Sequence, residues 1–142
     1  YAFQKPEHQF VAPTVLEECV FTLLMREGLD LGPRGIADLP AHLAAQGEAW
    51  LERFGLADKG RLHPQQLNAA DQRRLALAAI TAARPRLLVM DEPTAGLDYA
   101  GADRMMAACA EYAAAEGGAV VMITHDLQIV RRYAAKELAL PR

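Results

Sequence analysis

Arg86-Leu-Leu-Val-Met-Asp-Glu-Pro-Thr-Ala-Gly-Leu-Asp98 is the stretch that decides the fold of this chain. Residues 87–90 are apolar on both alternating faces, the pattern of a parallel strand buried between two helix layers. Asp91 and Glu92 follow at once, and Pro93 stops the strand. In an open α/β sheet, ligands bind at that carboxyl end of a strand. Two adjacent acids there can divide the labour of phosphate chemistry, one holding Mg²⁺ and the other orienting a water. Taken alone, the pair reads as well as a strand end capped by solvated acids. The continuation from Pro93 to Asp98 breaks the tie.

Residues 90–98, MDEPTAGLD, resemble the Walker B strand and D-loop of ATP-binding cassette (ABC) ATPases. The resemblance implies a P-loop NTPase fold of class α/β, a parallel sheet with an inserted helical subdomain. It implies that Asp91 holds Mg²⁺ through water and that Glu92 acts as general base. It also implies that Asp98 acts across a dimer interface.

Composition is compatible with this and narrows it. The 142 residues allow one domain at most, with 52% hydrophobic and 23% charged side chains, an ordinary globular balance. A net charge of −3 gives no electrostatic case for nucleic acid or an anionic membrane surface. No apolar stretch approaches the length of a membrane span. Cys19 and Cys109 lack metal-ligand spacing and read as buried thiols in a reducing cytoplasm.

Upstream of the opening stretch, residues 1–4 read as the tail of a strand and 5–9 as a polar loop. Residues 15–25 carry apolar positions at helical spacing (Leu16, Val20, Leu23, Leu24), entered by Thr14 with Glu17 three residues on, a capping box. Residues 28–40 should be a loop, 41–54 a helix ending at Gly55, and 55–66 a second loop. The string FQKPEHQFVAPTVLEECVF, residues 3–21, resembles the Q-loop of energy-coupling-factor importer ATPases for cobalt, nickel and vitamins. In that likeness Gln4 senses the γ-phosphate and Mg²⁺.

Leu67-Asn-Ala-Ala-Asp71 occupies the signature position, where the family prefers Leu-Ser-Gly-Gly-Gln. The physical task there is to offer the free N–H groups of a helix N-terminus to a phosphate. Asn68 can still cap a helix over 71–83, with Asp71 completing a box-like arrangement. Ala69 and Ala70 add Cβ atoms where glycine would let phosphate and backbone meet. The expectation is that these methyls, together with the Asp71 carboxylate facing an anion, weaken the composite site that Leu67, Asn68, Ala69, Ala70 and Asp71 complete on a partner.

Downstream, Asp98 caps a helix over 99–116 with Met105, Met106, Cys109 and Tyr112 as its apolar face, and Gly117-Gly118 ends it. Residues 119–123 form a second buried-type strand. His125 follows it, separated from Glu92 by one strand–helix–strand crossover, so the two can converge on one rim of a parallel sheet. The resemblance makes His125 the switch histidine of the γ-phosphate. A short helix over 126–134 and an edge strand over 137–140 complete the chain. His8, His42 and His63 read as surface residues.

No Gly-x-x-x-x-Gly-Lys-Ser/Thr loop occurs in these residues; the nearest string, residues 55–62, has no hydroxyl at Leu62 and no preceding strand. The expectation is therefore that residues 1–142 are the C-terminal part of one ABC ATPase domain, lacking its Walker A half. Residues 13–83 would be the helical subdomain, and 1–12 with 84–142 part of the RecA-like core. Such an isolated chain is expected to bind ATP poorly and to be inactive. The complete protein is expected to be an importer ATPase of the energy-coupling-factor type, using ATP and Mg²⁺. Its partners would be a second cassette, alike or different, packed head to tail, and a transmembrane subunit docked on residues 13–66 at the cytoplasmic face of the membrane. Two alternatives stay open: a noncatalytic regulatory half, favoured by the altered signature, and a soluble cassette ATPase of DNA repair or translation.

Overall fold

Thr14 begins the first helix in the computed structural model of the chain, which describes residues 10–30 and 32–138. Its extended backbone and its Oγ1, accepting from Glu17 N at 3.2 Å, start α1 (Val15–Glu27). The reciprocal arm differs from the expected capping box. The Thr14 hydroxyl donates to Glu17 Oε2 at 2.6 Å, so the glutamate answers the cap's side chain and not its backbone. Gly28, at φ +68, closes the helix by donating to Leu24 O and Met25 O.

α2 (Ala41–Arg53) and α3 (Ala69–Ala82) follow, so the stretch from 14 to 83 is mostly helical as expected. The two expected loops are not featureless: 3₁₀ turns occupy Gly35–Asp38, Ala57–Lys59 and Pro64–Gln66. α3 starts two residues earlier than expected because Asn68 is its cap. α1, α2 and α3 pack on one another around Val15, Cys19, Val20, Leu43, Leu51, Phe54 and Leu75, all essentially inaccessible. α1 and α2 approach closely at Gly47. A Cβ there would lie 2.5 Å from Val20 Cγ1 and 2.7 Å from Leu16 Cδ1.

β1 (Leu87–Asp91) and β2 (Ala119–Ile123) have the expected bounds and pair in parallel, Leu87 opposite Ala119 and Asp91 opposite Ile123. The crossover between them is α4 (Tyr99–Glu116), capped by Asp98 and ended by Gly117 at φ +66. Met105, Met106, Cys109 and Tyr112 are buried, as its periodicity required. Trp50 of α2 lies 6.3 Å from Tyr112, ring centre to ring centre, which joins the helical block to the strand-bearing part. The Tyr112 hydroxyl donates to Pro85 O, fixing the approach to β1.

Two expectations need correction. The sheet is not covered on both faces within the described residues. Leu88 and Met90 are buried, whereas Leu87, Val121 and Ile123 are 54%, 48% and 55% exposed. Successive side chains of a strand point to opposite faces, and only one face meets the core. Second, Glu137 and Leu138 are not in a strand, and 139–140 lie outside the described residues, as do the expected strand at 1–4, Gln4 and His8. The last helix, α5 (Leu127–Tyr133), uses Asp126 as its cap and not as a member. No helix among the described residues is long and apolar enough to cross a membrane.

Gly47→Val tests the α1–α2 approach. Overpacking a well-filled contact costs about 1–3 kcal/mol, so the urea midpoint should fall; an unchanged midpoint would show that the two helices do not meet at this residue.

Candidate functional site

The parallel register brings the residues after β1 and after β2 to one rim. The Glu92 N–H donates to Ile123 O at 2.8 Å, carrying the ladder one residue past β1. The backbone of Glu92 then turns left-handed, φ +45, a conformation that non-glycine residues adopt rarely and mostly where function demands it. Its carboxylate is gathered by the loop after β2. Oε1 accepts from His125 N at 3.0 Å and from His125 Nδ1 at 2.7 Å, and Oε2 accepts from Thr124 Oγ1 at 3.3 Å. Thr124 Oγ1 in turn accepts from Asp126 N at 3.1 Å, and Asp126 caps α5.

Because a carboxylate only accepts, Nδ1 of His125 carries the proton and Nε2 is left to face outward. The imidazole is 87% exposed and the Glu92 side chain 33%. Desolvation pushes the Glu92 carboxyl upward, but the hydrogen bonds and charge of His125 and the Thr124 hydroxyl outweigh it, so its pKa lies below the ordinary value. His125 moves the other way. The hydrogen bond to Glu92 and then its charge raise the imidazole pKa against a smaller opposition from desolvation, with Asp126 adding least. The site therefore pairs a carboxylate with a protonated ring nitrogen, Nδ1 to Oε1 2.7 Å.

Asp91 sits half-buried at the end of β1, and Asp98 is an exposed cap whose Oδ1 accepts from Gly101 N at 2.9 Å. Hard carboxylate oxygens suit Mg²⁺, which is commonly held by one or two carboxylates plus phosphate oxygens and water. No group of three or more His, Cys, Asp or Glu among the described residues is placed to hold a metal ion.

Residues 67–71 lie at the start of α3, and no hydrogen bond or ion pair among the described residues joins them to Glu92 or His125. Leu67 is buried, Asn68 and Ala69 are exposed, and Ala70 is half-buried. Asn68 Oδ1 accepts from Asp71 N at 2.9 Å, as a cap should. The expectation for Asp71 itself fails. Its carboxylate is turned inward and 2% exposed, ion-paired to both Lys59 and Arg74, with Asn68 Nδ2 donating to it at 3.1 Å. Two cations surround one anion, so no uncompensated negative charge faces an incoming phosphate. Removing one partner of such a buried pair typically costs about 3–5 kcal/mol, because the remaining charge is left uncompensated.

Sequence reading missed Lys59 and Thr124. Lys59 carries no signal, since it lies twelve positions before Asp71 across an irregular stretch that no periodicity spans. Arg74 was legible in principle, as i and i+3 side chains share a helix face. His42 and His63 are surface residues as expected; His42 pairs with Glu27 at 3.1 Å, and His63 Nδ1 accepts from Gln65 N at 3.2 Å.

Known proteins share this fold. Residues 1–95 match the family model described as ABC transporter. The chain is 36% identical over 142 residues to an energy-coupling factor transporter ATP-binding protein EcfA2 of Symbiobacterium thermophilum, covering 99% of this chain and 45% of that protein. It is 36% identical over 143 residues to a putative HMP/thiamine import ATP-binding protein, YkoD, of Bacillus subtilis, covering 99% of this chain and 23% of that protein. The structure of cbiO1 from Clostridium perfringens, described as part of the ABC transporter complex cbiONQ, superposes with a TM-score of 0.69 at 26% identity, over 93% of this chain and 49% of that one. The chain thus spans less than half the length of these relatives.

Titration separates the pair. The His125 ring, followed by NMR, should lose its proton above the ordinary imidazole value, and Glu92→Gln should bring that midpoint back down. The stabilisation by raised His125 is full below its unfolded pKa and fades as pH rises through the folded one. That of lowered Glu92 is present above its unfolded pKa and fades as pH falls through the folded one. An His125 midpoint unmoved by Glu92→Gln would mean that the two do not interact in solution.

Proposed function

The chain belongs to the ABC transporter family, and from that membership we propose that it is the C-terminal part of an ATP-hydrolysing subunit of an energy-coupling-factor-type importer. In this reading residues 13–83 are the helical subdomain and 84–142, with 1–12, belong to the nucleotide-binding core. The observation that carries it is the Glu92–His125 contact at the carboxyl ends of two parallel strands. The relatives of about 36% identity that are described as energy-coupling-factor and import ATP-binding proteins support the importer assignment. The resemblance of residues 3–21 supports a cobalt, nickel or vitamin cargo, and the relative described as an HMP/thiamine import protein favours the vitamin.

ATP would be the substrate, with Asp91 holding Mg²⁺ through water and Gln4 sensing that ion and the γ-phosphate. The ion would neutralise charge on the β- and γ-phosphates when bound. Glu92 then takes the proton from the attacking water. Oε2 is the better placed oxygen, since its only hydrogen bond among the described residues is the long one from Thr124. His125, oriented through Nδ1 by Glu92, presents Nε2 to the γ-phosphate. The positive φ of Glu92 aims its carboxylate over the strand ends.

The reading also places Leu67, Asn68, Ala69, Ala70 and Asp98 against a nucleotide held by a second cassette, packed head to tail. The transmembrane subunit would dock on the helical block from the cytoplasmic side. A half-open groove lined by Leu16, Ile36, Ala49, Leu51, Glu48 and Glu52 lies on that block, between α1, α2 and the turn at 57–59. The altered signature once favoured a noncatalytic half; the inward, compensated Asp71 weakens that reading.

In the full-length protein, Glu92→Gln keeps the shape and hydrogen bonding of the side chain but cannot accept a proton. It should lower steady-state ATP turnover by about 10²–10⁴-fold, the usual contribution of a general base, with ATP affinity largely kept. Retention of most of the turnover would remove Glu92 from the base role.

A further inference from the structure

We propose that Asp71 is a positioning residue, an inward anchor that Lys59 and Arg74 clamp so that the tip of α3 is held in one place. This rests on the reading above, in which that tip acts on a nucleotide bound by a partner cassette.

The juxtaposition joins the first turns of α3 to residues 54–59, the end of α2 and the turn that follows it. Asp71 lies in the first turn of α3. Lys59 ends the 3₁₀ turn Ala57–Lys59 and reaches Asp71 Oδ2. Arg74 reaches Asp71 Oδ1 through Nη2, while its Nη1 donates to Phe54 O and Gly55 O, 3.4 Å each, at the carbonyl end of α2. A guanidinium at a helix C-terminus also meets the negative end of that helix dipole. The approach is tight. A Cβ on Gly55, whose φ is +70, would lie 3.1 Å from Arg74 Nη1 and 2.6 Å from Arg104 Nη1. One carboxylate thereby ties the start of α3 to both the end of α2 and the turn after it.

The same turn of helix divides its residues by side. Asn68 and Ala69 are exposed, whereas Leu67, Asp71 and Gln72 are buried, and Gln72 Nε2 donates to Pro64 O at 3.3 Å. The outward residues are short, and the hydrogen bonds of Asn68 are made to Asp71 itself. Their position is inherited from the inward ones, of which Asp71 alone is charged. A neutral side chain at 71 would leave Lys59 and Arg74 facing each other across a dry gap, and their repulsion would move the turn at 57–59 away from α3.

Two opposed outcomes separate this from the reading in which the Asp71 charge harms catalysis. Asp71→Asn and Lys59→Gln are made in the full-length protein and assayed well below their melting temperatures. Each should lower kcat for ATP about ten- to a hundredfold, the scale of a 1 Å misplacement, while KM changes little. Amide exchange at residues 69–72 should rise in both. An unchanged or raised kcat, with melting temperature alone reduced, overturns the positioning role. If the unaltered protein hydrolyses no ATP, it is the proposed function that fails. The clamp is then judged on exchange, and protection at 69–72 unchanged in both variants overturns it too.

Discussion

The parallel pairing of β1 with β2 is the constraint on which the rest depends. With Asp91 opposite Ile123, the next residue on each side emerges at the same end of the sheet. An antiparallel pairing would have placed Glu92 and His125 at opposite ends. A parallel pair needs a crossover of a dozen or more residues, and α4 supplies it. The burial of Met105, Cys109 and Tyr112 in α4 is therefore more than packing, because it holds the two strands in the register that makes the site. Glu92 then spends a left-handed backbone to turn its carboxylate toward the second strand.

The helical block obeys a different logic. Its three helices are fixed by an apolar centre, but the tip of α3 stands outside that centre and relies on charge. Asp71 would be costly if left alone in so dry a place. Two cations offset it, and Asn68 adds a hydrogen bond. Where the family prefers glutamine, this chain has an aspartate turned inward and compensated by two cations.

Much of the fold was legible because it is written in short-range terms. Alternating apolar runs bounded by Pro85 and Pro93, and by Gly118 and His125, gave both strands their residue limits. Thr14, Asn68 and Asp98 announced helix starts through their side-chain oxygens. The convergence of Glu92 and His125 was also foreseeable, since one right-handed crossover leaves little freedom. What escaped was long-range and electrostatic. Nothing in the spacing pairs Lys59 with Asp71, and a residue judged by its neighbours in sequence looked like an exposed acid. The open sheet face escaped for another reason: an apolar run specifies that a strand can be buried on both sides, not that the cover lies within the same residues.

If Glu92 and His125 work as one unit, their removal must not be additive. The direct measurement is a double-mutant cycle on kcat for ATP hydrolysis in the full-length protein, using Glu92→Gln, His125→Ala and the two together. The expected result is that the double variant is no slower than the slower single one, within about twofold, as for residues that act together. Losses that multiply, each substitution costing its full factor in the presence of the other, would contradict a shared site.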